Sequence, residues 1–278
     1  MNELDKIVKE AIEKKNNTPI EEFEGYSPNE MHFIIHDPFK EKSPIQISNA
    51  KNSTYKNIPI FNQVKFLFDL IKEDKKLKLT NSGYLPPKIV AELYGKGYMK
   101  EPLIESGVSK LYREIDSPSV NLARILVELS TLVKKQKNTM TLTQKGTQQI
   151  NDDSAIFQDL FKTFTNKFHW AYFDGFSDED IGQLGFGFSL ILLNKYGNEY
   201  RRAEFYAEKY LKAFKFKTKD PVKKFGDDPT RAYIIRTFKR FLEHFNFIEF
   251  DNDQKYLYVR KTKNFDELVK IRKHKNSL

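Results

Sequence analysis

Cysteine is absent from the 278 residues, which excludes a disulfide framework, a thiol nucleophile and any thiolate-bound zinc or iron–sulfur centre. Long apolar runs are missing too. The most apolar stretch, Phe186 to Leu193, falls far short of the ~20 residues that a membrane helix needs. The opening MNELDKIVKEAIEKK mixes charge with an amphipathic pattern and has no apolar centre of the signal-peptide kind. These absences predict a cytoplasmic chain with no membrane partner. No nucleotide-binding glycine motif and no nucleophile–base pairing stands in the sequence, so no cofactor and no catalytic residue is assigned. The balance favours a non-enzymatic role.

Aromatic surface and positive charge are what the chain does have. With 24 Phe and 14 Tyr it can build packed cores despite 31% charged residues. The formal net charge is +9, unevenly placed. From Lys195 onward 22 Lys/Arg face 12 Asp/Glu, a surplus of ten, whereas the first 194 residues net to −1. Such asymmetry points to a polyanionic partner, most often nucleic acid. A lysine-rich solvated surface is the plainer alternative.

Periodicity predicts a mainly α protein with short β-hairpins and winged-helix-like units. Leu4, Ile7, Val8, Ala11 and Ile12 mark a first amphipathic helix, ended by Asn16-Asn17-Thr18-Pro19. Ser27-Pro28-Asn29-Glu30 fits a capping box with proline at the first helical position, opening a helix that stops at Asp37-Pro38. Residues 40–57 read as a loop or linker. Residues 60–83 and 119–146 share an order of helix, charged turn, short β-segment, Thr cap and following helix. At an offset of 63 Thr80 aligns with Thr143 and Gly83 with Gly146. A duplicated winged-helix-like unit and two unrelated strand-to-helix junctions both fit. Phe157, Leu160, Phe161, Phe164 and Phe168 form one stripe. Ser177 and Asp180 open a helix running to Gly197, and another covers about Glu199 to Phe214. Lys215–Asp227 reads as a basic connector. Three regions result: residues 1–57, 58–152 and 153–278.

The end of the chain is the most explicit. Asp228-Pro229 starts a helix with an apolar arc of Ile234, Ile235, Phe238, Phe241, Leu242 and Phe245. Two alternating segments, Phe247–Phe250 and Tyr256–Lys261, flank an Asp/Asn-rich turn at residues 251–254. A last amphipathic helix from about Phe265 leads into the basic tail Arg272-Lys273-His274-Lys275. Helix then hairpin is the core of a winged helix, whose helix can enter a groove while the hairpin tracks phosphates. A wheel of 3.6 residues per turn places Arg236 and Arg240 opposite the apolar arc and Lys239 at its edge. Arg260, Lys261 and Lys263 extend from the second strand. These six residues are the predicted nucleic-acid contacts, because guanidinium and ammonium groups displace condensed counterions. Glu243 shares the outward face and opposes them. The alternative partner is a protein, with winged helices serving as scaffold.

Other constellations are weaker. His32 and His36 are spaced for one helix face and a metal, but Phe33 stands where a zinc protease needs glutamate. Packing at a helix end is the simpler account, and no metal site is assigned. Gly182, Gly185 and Gly187 fit close helix packing better than a phosphate loop. The aromatics around Trp170 fit a core better than a base-stacking platform. Asp178-Glu179-Asp180 complements a helix dipole.

The segments Ser27–Phe39 and Leu77–Pro87 resemble uncharacterised bacterial proteins, some of them similar to plasmid-borne ORF-3-like proteins. The resemblance covers the N-terminal half at most. It implies a bacterial source and a mobile-element context, and brings no activity or site residues.

Overall fold

The computed structural model describes residues 3–216, 228–252 and 255–272. The connector at 217–227, the tail beyond 272 and part of the turn at 251–254 lie outside those residues. Helix accounts for 55% and strand for 11%, so the fold is mainly α, with small antiparallel sheets between the helices. The chain forms two compact units, neither continuous in sequence. One, here the split unit, joins Met1–Ser48, Asp174–Glu243 and Phe247–Leu278; the other, the central unit, joins Asn49–Phe173 and His244–Asn246.

The split unit begins with α1 (Glu3–Asn17), α2 (Pro28–His36) and β1 (Ile45–Ile47). Helix α1 buries none of its residues, so its apolar face of Leu4, Ile7, Val8 and Ile12 stays exposed. Helix α2 opens on the capping box anticipated at Ser27 and Glu30, with Pro28 in the first turn. Strand β1 lies in the stretch expected to be a loop. Three residues, even alternating as Ile-Gln-Ile, carry little local signal, and β1 forms because residues far along the chain complete its ladder.

The central unit contains α3 (Asn52–Lys56), α4 (Pro59–Glu73), β2 (Leu77–Lys78), α5 (Pro87–Gly95), α6 (Pro102–Glu105), α7 (Pro118–Leu129), β3 (Val133–Gln136), β4 (Thr139–Leu142), α8 (Gln144–Gln149) and α9 (Asp153–Asn166). Its sheet has the order β2-β4-β3, all antiparallel. Leu77 faces Met140 across that sheet, so the two strand-to-helix junctions noted in the sequence lie on adjacent strands. The core is the apolar stripe of α4 (Phe61, Val64, Leu67, Phe68, Ile71) with that of α9, all buried. Phe245 closes it, with ring centroids 5.1 Å from Phe161 and 5.3 Å from Phe164. Full burial of each such ring contributes about 1.5–3 kcal/mol.

The split unit resumes with α10 (Phe186–Tyr196), β5 (Arg201–Arg202), α11 (Ala203–Ala213), α12 (Pro229–Tyr233), a π-helical continuation (Ile234–Leu242), β6 (Ile248–Asn252), β7 (Leu257–Lys261), α13 (Lys263–Leu268) and β8 (Val269–Ile271). Its main sheet has the order β5-β7-β6, again antiparallel. Strand β8 pairs with β1, Ile271 facing Ile45, which ties the first 48 residues to the last ones. In both units a helix, a strand, a helix, a later helix and a hairpin follow in that order, and the first strand joins the far strand of the hairpin. The connectivity is the same twice.

Helix α10 starts later than the sequence suggests. Gly182 and Gly185 both adopt positive φ, which ends regular helix before Phe186. Gly187 packs against Ile34 and Ile45 closely enough that a Cβ would collide with both side chains. The glycines therefore serve packing and turning.

Candidate nucleic-acid interface

The helix carrying three of the six predicted contacts is wound differently from the wheel that placed them. Over Ile234–Leu242 hydrogen bonds run from residue i+5 back to i, and the amides of Glu243 and Phe247 still reach Phe238 and Leu242. Such winding is rare beyond a single turn. Burial follows it: the buried pairs Arg236-Thr237 and Phe241-Leu242 recur after five residues, while Lys239 and Glu243 face solvent.

Arg236 is consequently turned inward, with no exposed surface. It donates from Nη2 to Asp174 Oδ1 at 2.8 Å and from Nε to Oδ2 at 3.1 Å. Its Nη1 donates to the carbonyls of Asp178 (2.7 Å) and Ile181 (3.1 Å). These bonds occupy Nε, Nη1 and one hydrogen of Nη2, and a guanidinium with no exposed surface cannot meet a phosphate outside. The outward position expected for Arg236 is corrected. Arg240 is half-buried and donates to Asp174 Oδ2 at 2.7 Å. Burial pushes the Asp174 carboxyl up, but the bonds from Arg236 and the charges of both arginines outweigh it and hold the pKa below its ordinary value. The Asp178-Glu179-Asp180 segment thus supplies backbone acceptors to Arg236.

Arg260, Lys261 and Lys263 do come together, around a concavity of about 380 Å³ that Glu249 and Asp266 also line. Each is met by a carboxylate of its own chain. Arg260 reaches Glu249 at 2.5 Å, Lys261 reaches Asp266 at 2.8 Å, and Lys263 approaches Glu267 at 3.7 Å. Lys239 is exposed and makes no ion pair among the described residues. The charge surplus read from the sequence is therefore largely compensated where it was predicted to act.

The central unit offers a different surface, which the sequence reading missed. Register places Lys78, Thr139 and Gln136 in one row and Thr141 and Lys134 in a row two residues away. Side chains two apart share a sheet face, so Lys78, Lys134 and, one step before β2, Lys76 belong to the solvent side. All three are exposed. Lys137 sits at the hairpin tip and Lys75 at the turn into β2, with φ of 53° and 61°. None of these five ammonium groups makes an ion pair among the described residues; nearby Lys135 is held by Glu128 at 2.9 Å. Glu73 and Asp74 adjoin the patch at the end of α4 and reduce its charge. The signal was legible as two runs, Lys75-Lys76-Leu77-Lys78 and Lys134-Lys135-Gln136-Lys137. It was hidden because charge was summed over 194 residues.

The remaining candidates form no site of their own among the described residues. His32 and His36 are exposed with ring centroids 4.9 Å apart, and among the described residues no group of three or more His, Asp or Glu could hold a metal. Trp170 is buried and donates to the Phe164 carbonyl at 2.9 Å. Among the described residues no helix is long and apolar enough to cross a membrane. Comparison of the chain with known families, curated proteins and solved structures gives no match.

Proposed function

We propose that both units are winged-helix-like and that the chain binds nucleic acid without catalysing a reaction. The observation that carries this reading is the repeated connectivity: twice a helix, strand, helix, helix and hairpin, with sheet order β2-β4-β3 and β5-β7-β6. A hairpin so placed can lie along a phosphate backbone, and the net charge of +9 favours approach to a polyanion. The test is binding of DNA and RNA by the full chain across salt concentrations. Affinity should fall linearly on a log–log plot as salt rises. No retention at low salt would remove the reading.

A protein-interaction scaffold is the second reading. It is favoured by the pairing of Arg236, Arg240, Arg260, Lys261 and Lys263 with carboxylates of the same chain. Purification with a defined protein partner, and no salt-dependent retention of nucleic acid, would carry it instead.

A further inference from the structure

We infer that the solvent face of the β2-β4-β3 sheet docks on the phosphodiester backbone of a nucleic-acid duplex without reading its sequence. The inference rests on the nucleic-acid reading above and names its surface and its mode. Two independent features lead to it.

The first is that the helix before the central unit's hairpin is closed to bases. Helix α7 carries Asn121 and Arg124, side chains of the types that read base edges, yet both are buried. Glu114, itself without exposed surface, accepts from Asn121 Nδ2 at 2.5 Å and Arg124 Nε at 2.6 Å through one oxygen. Its other oxygen accepts the Leu85 amide at 2.6 Å. Glu101 binds the Ser117 hydroxyl at 2.7 Å and the Ser119 amide at 3.0 Å. Arg124 spends a further donor on Glu128 at 2.6 Å. The base-reading chemistry of α7 is thus consumed by the segment that precedes it.

The second feature is the placement of the lysines. Lys76, Lys78 and Lys134 share the sheet's outer side, with Lys75 and Lys137 at its turns. The last two hold left-handed backbone, a conformation for which glycine or asparagine is the usual residue. A lysine at each such turn puts charge where backbone preference alone would not. The face between them is Thr139, Thr141 and Gln136, with no aromatic side chain. Single-strand binding relies on aromatic platforms, so the face suits a duplex backbone.

The experiment measures binding of the full chain to two DNA duplexes of unrelated sequence and to the corresponding RNA duplexes, over a salt series. Both sequences should bind within about twofold of each other, and comparison of the DNA and RNA arms shows which backbone geometry is preferred. Lys134→Glu with Lys137→Glu should weaken binding tenfold or more and lower the salt slope by about two, at roughly one per phosphate contact. Lys9→Glu with Lys14→Glu, on exposed helix α1 of the split unit, should leave binding within about twofold. If wild type binds but the hairpin variant binds equally well, or one sequence is strongly preferred, the inference is overturned while the nucleic-acid reading stands. If wild type fails to bind at low salt, the reading itself fails. Should the hairpin variant not fold, amide hydrogen exchange of residues 133–142 in wild type decides. Protection on adding duplex supports the inference, and none overturns it.

Discussion

Asp174 grips Arg236 through both carboxylate oxygens, at 2.8 and 3.1 Å, while Arg240 shares one of them at 2.7 Å. The relationship depends on the π-helical winding of Ile234–Leu242. In an α-helix Arg236 would project opposite Phe238 and Phe241; with i+5 bonding it turns to the buried side with Thr237. π-Helical turns are frequent at functional sites. Here the winding serves to bring a cation inside, where one carboxylate and three carbonyls satisfy it.

That arrangement fixes the cost of breaking it. Asp174→Ala leaves the Arg236 guanidinium buried without its counter-ion, and removing one member of a buried pair costs about 3–5 kcal/mol. Urea unfolding of the variant should show a loss of that size. Asp174→Asn, which keeps one acceptor, should lose less. A loss below about 1 kcal/mol for Asp174→Ala would mean that Arg236 reaches water in solution.

Acid should act through Glu24. Burial pushes this carboxyl up, but hydrogen bonds from Lys195, Lys209 and Tyr196, at 2.7, 2.6 and 2.6 Å, outweigh it and hold the pKa below the ordinary 4.5. A carboxyl depressed on folding adds stability that is complete above its unfolded pKa and is lost as pH falls through the folded value. The split unit should therefore weaken as pH drops below about 5. Glu24→Gln should be less stable than wild type at neutral pH, and the gap should close on acidification. Thermal melts from neutral pH down to about pH 3 check this; a constant gap would exclude Glu24 as a source of the acid sensitivity.

How far the sequence carries can be judged residue by residue. Ser27 with Glu30, Thr143 capping the Gly146 amide, Asp228 before Pro229, and the α9 stripe all stand where pattern places them. Each depends on neighbours within a few positions. What pattern misses depends on distance. Strand β1 has no partner nearer than β8, Glu114 gains its role only when α7 packs against its segment, and Arg236 changes face because i+5 winding leaves no mark in composition. The lysine face of the central sheet was readable only in part: Leu77-Lys78-Leu79 alternates, but Val133-Lys134-Lys135-Gln136 does not and reads as a charged turn, and a charge total over a long segment averages both away.

Gly146 tests the packing beneath that sheet. It lies buried in α8, and a Cβ there would run into the Leu132 carbonyl oxygen. Helix propensity favours alanine over glycine by about 1 kcal/mol. Against it, forcing an atom into a backbone contact costs about 1–3 kcal/mol, with little room to relax. The contact should win, so Gly146→Ala is expected to destabilise by up to about 2 kcal/mol net in urea unfolding. A stabilised variant would show that the β4–α8 junction shifts freely.

Lys137 separates stability from binding. Its left-handed backbone, at φ 53°, costs a residue with a side chain about 1–2 kcal/mol. Glycine removes that cost but adds about 0.5–1 kcal/mol of unfolded-state entropy. Lys137→Gly should therefore stabilise the protein by roughly 0.5–1 kcal/mol, the difference of those two effects. Lys134, inside β3 with no such strain, gains nothing to offset the entropy, so Lys134→Gly should destabilise by about 0.5–1 kcal/mol. Both variants remove one ammonium group from the same face. If that face tracks phosphates, both should weaken duplex binding and flatten its salt slope by about one. Opposite shifts in stability with equal losses of binding would rule out folding defects as the cause. Equal stability shifts would instead show that the hairpin tip relaxes out of the left-handed conformation in solution.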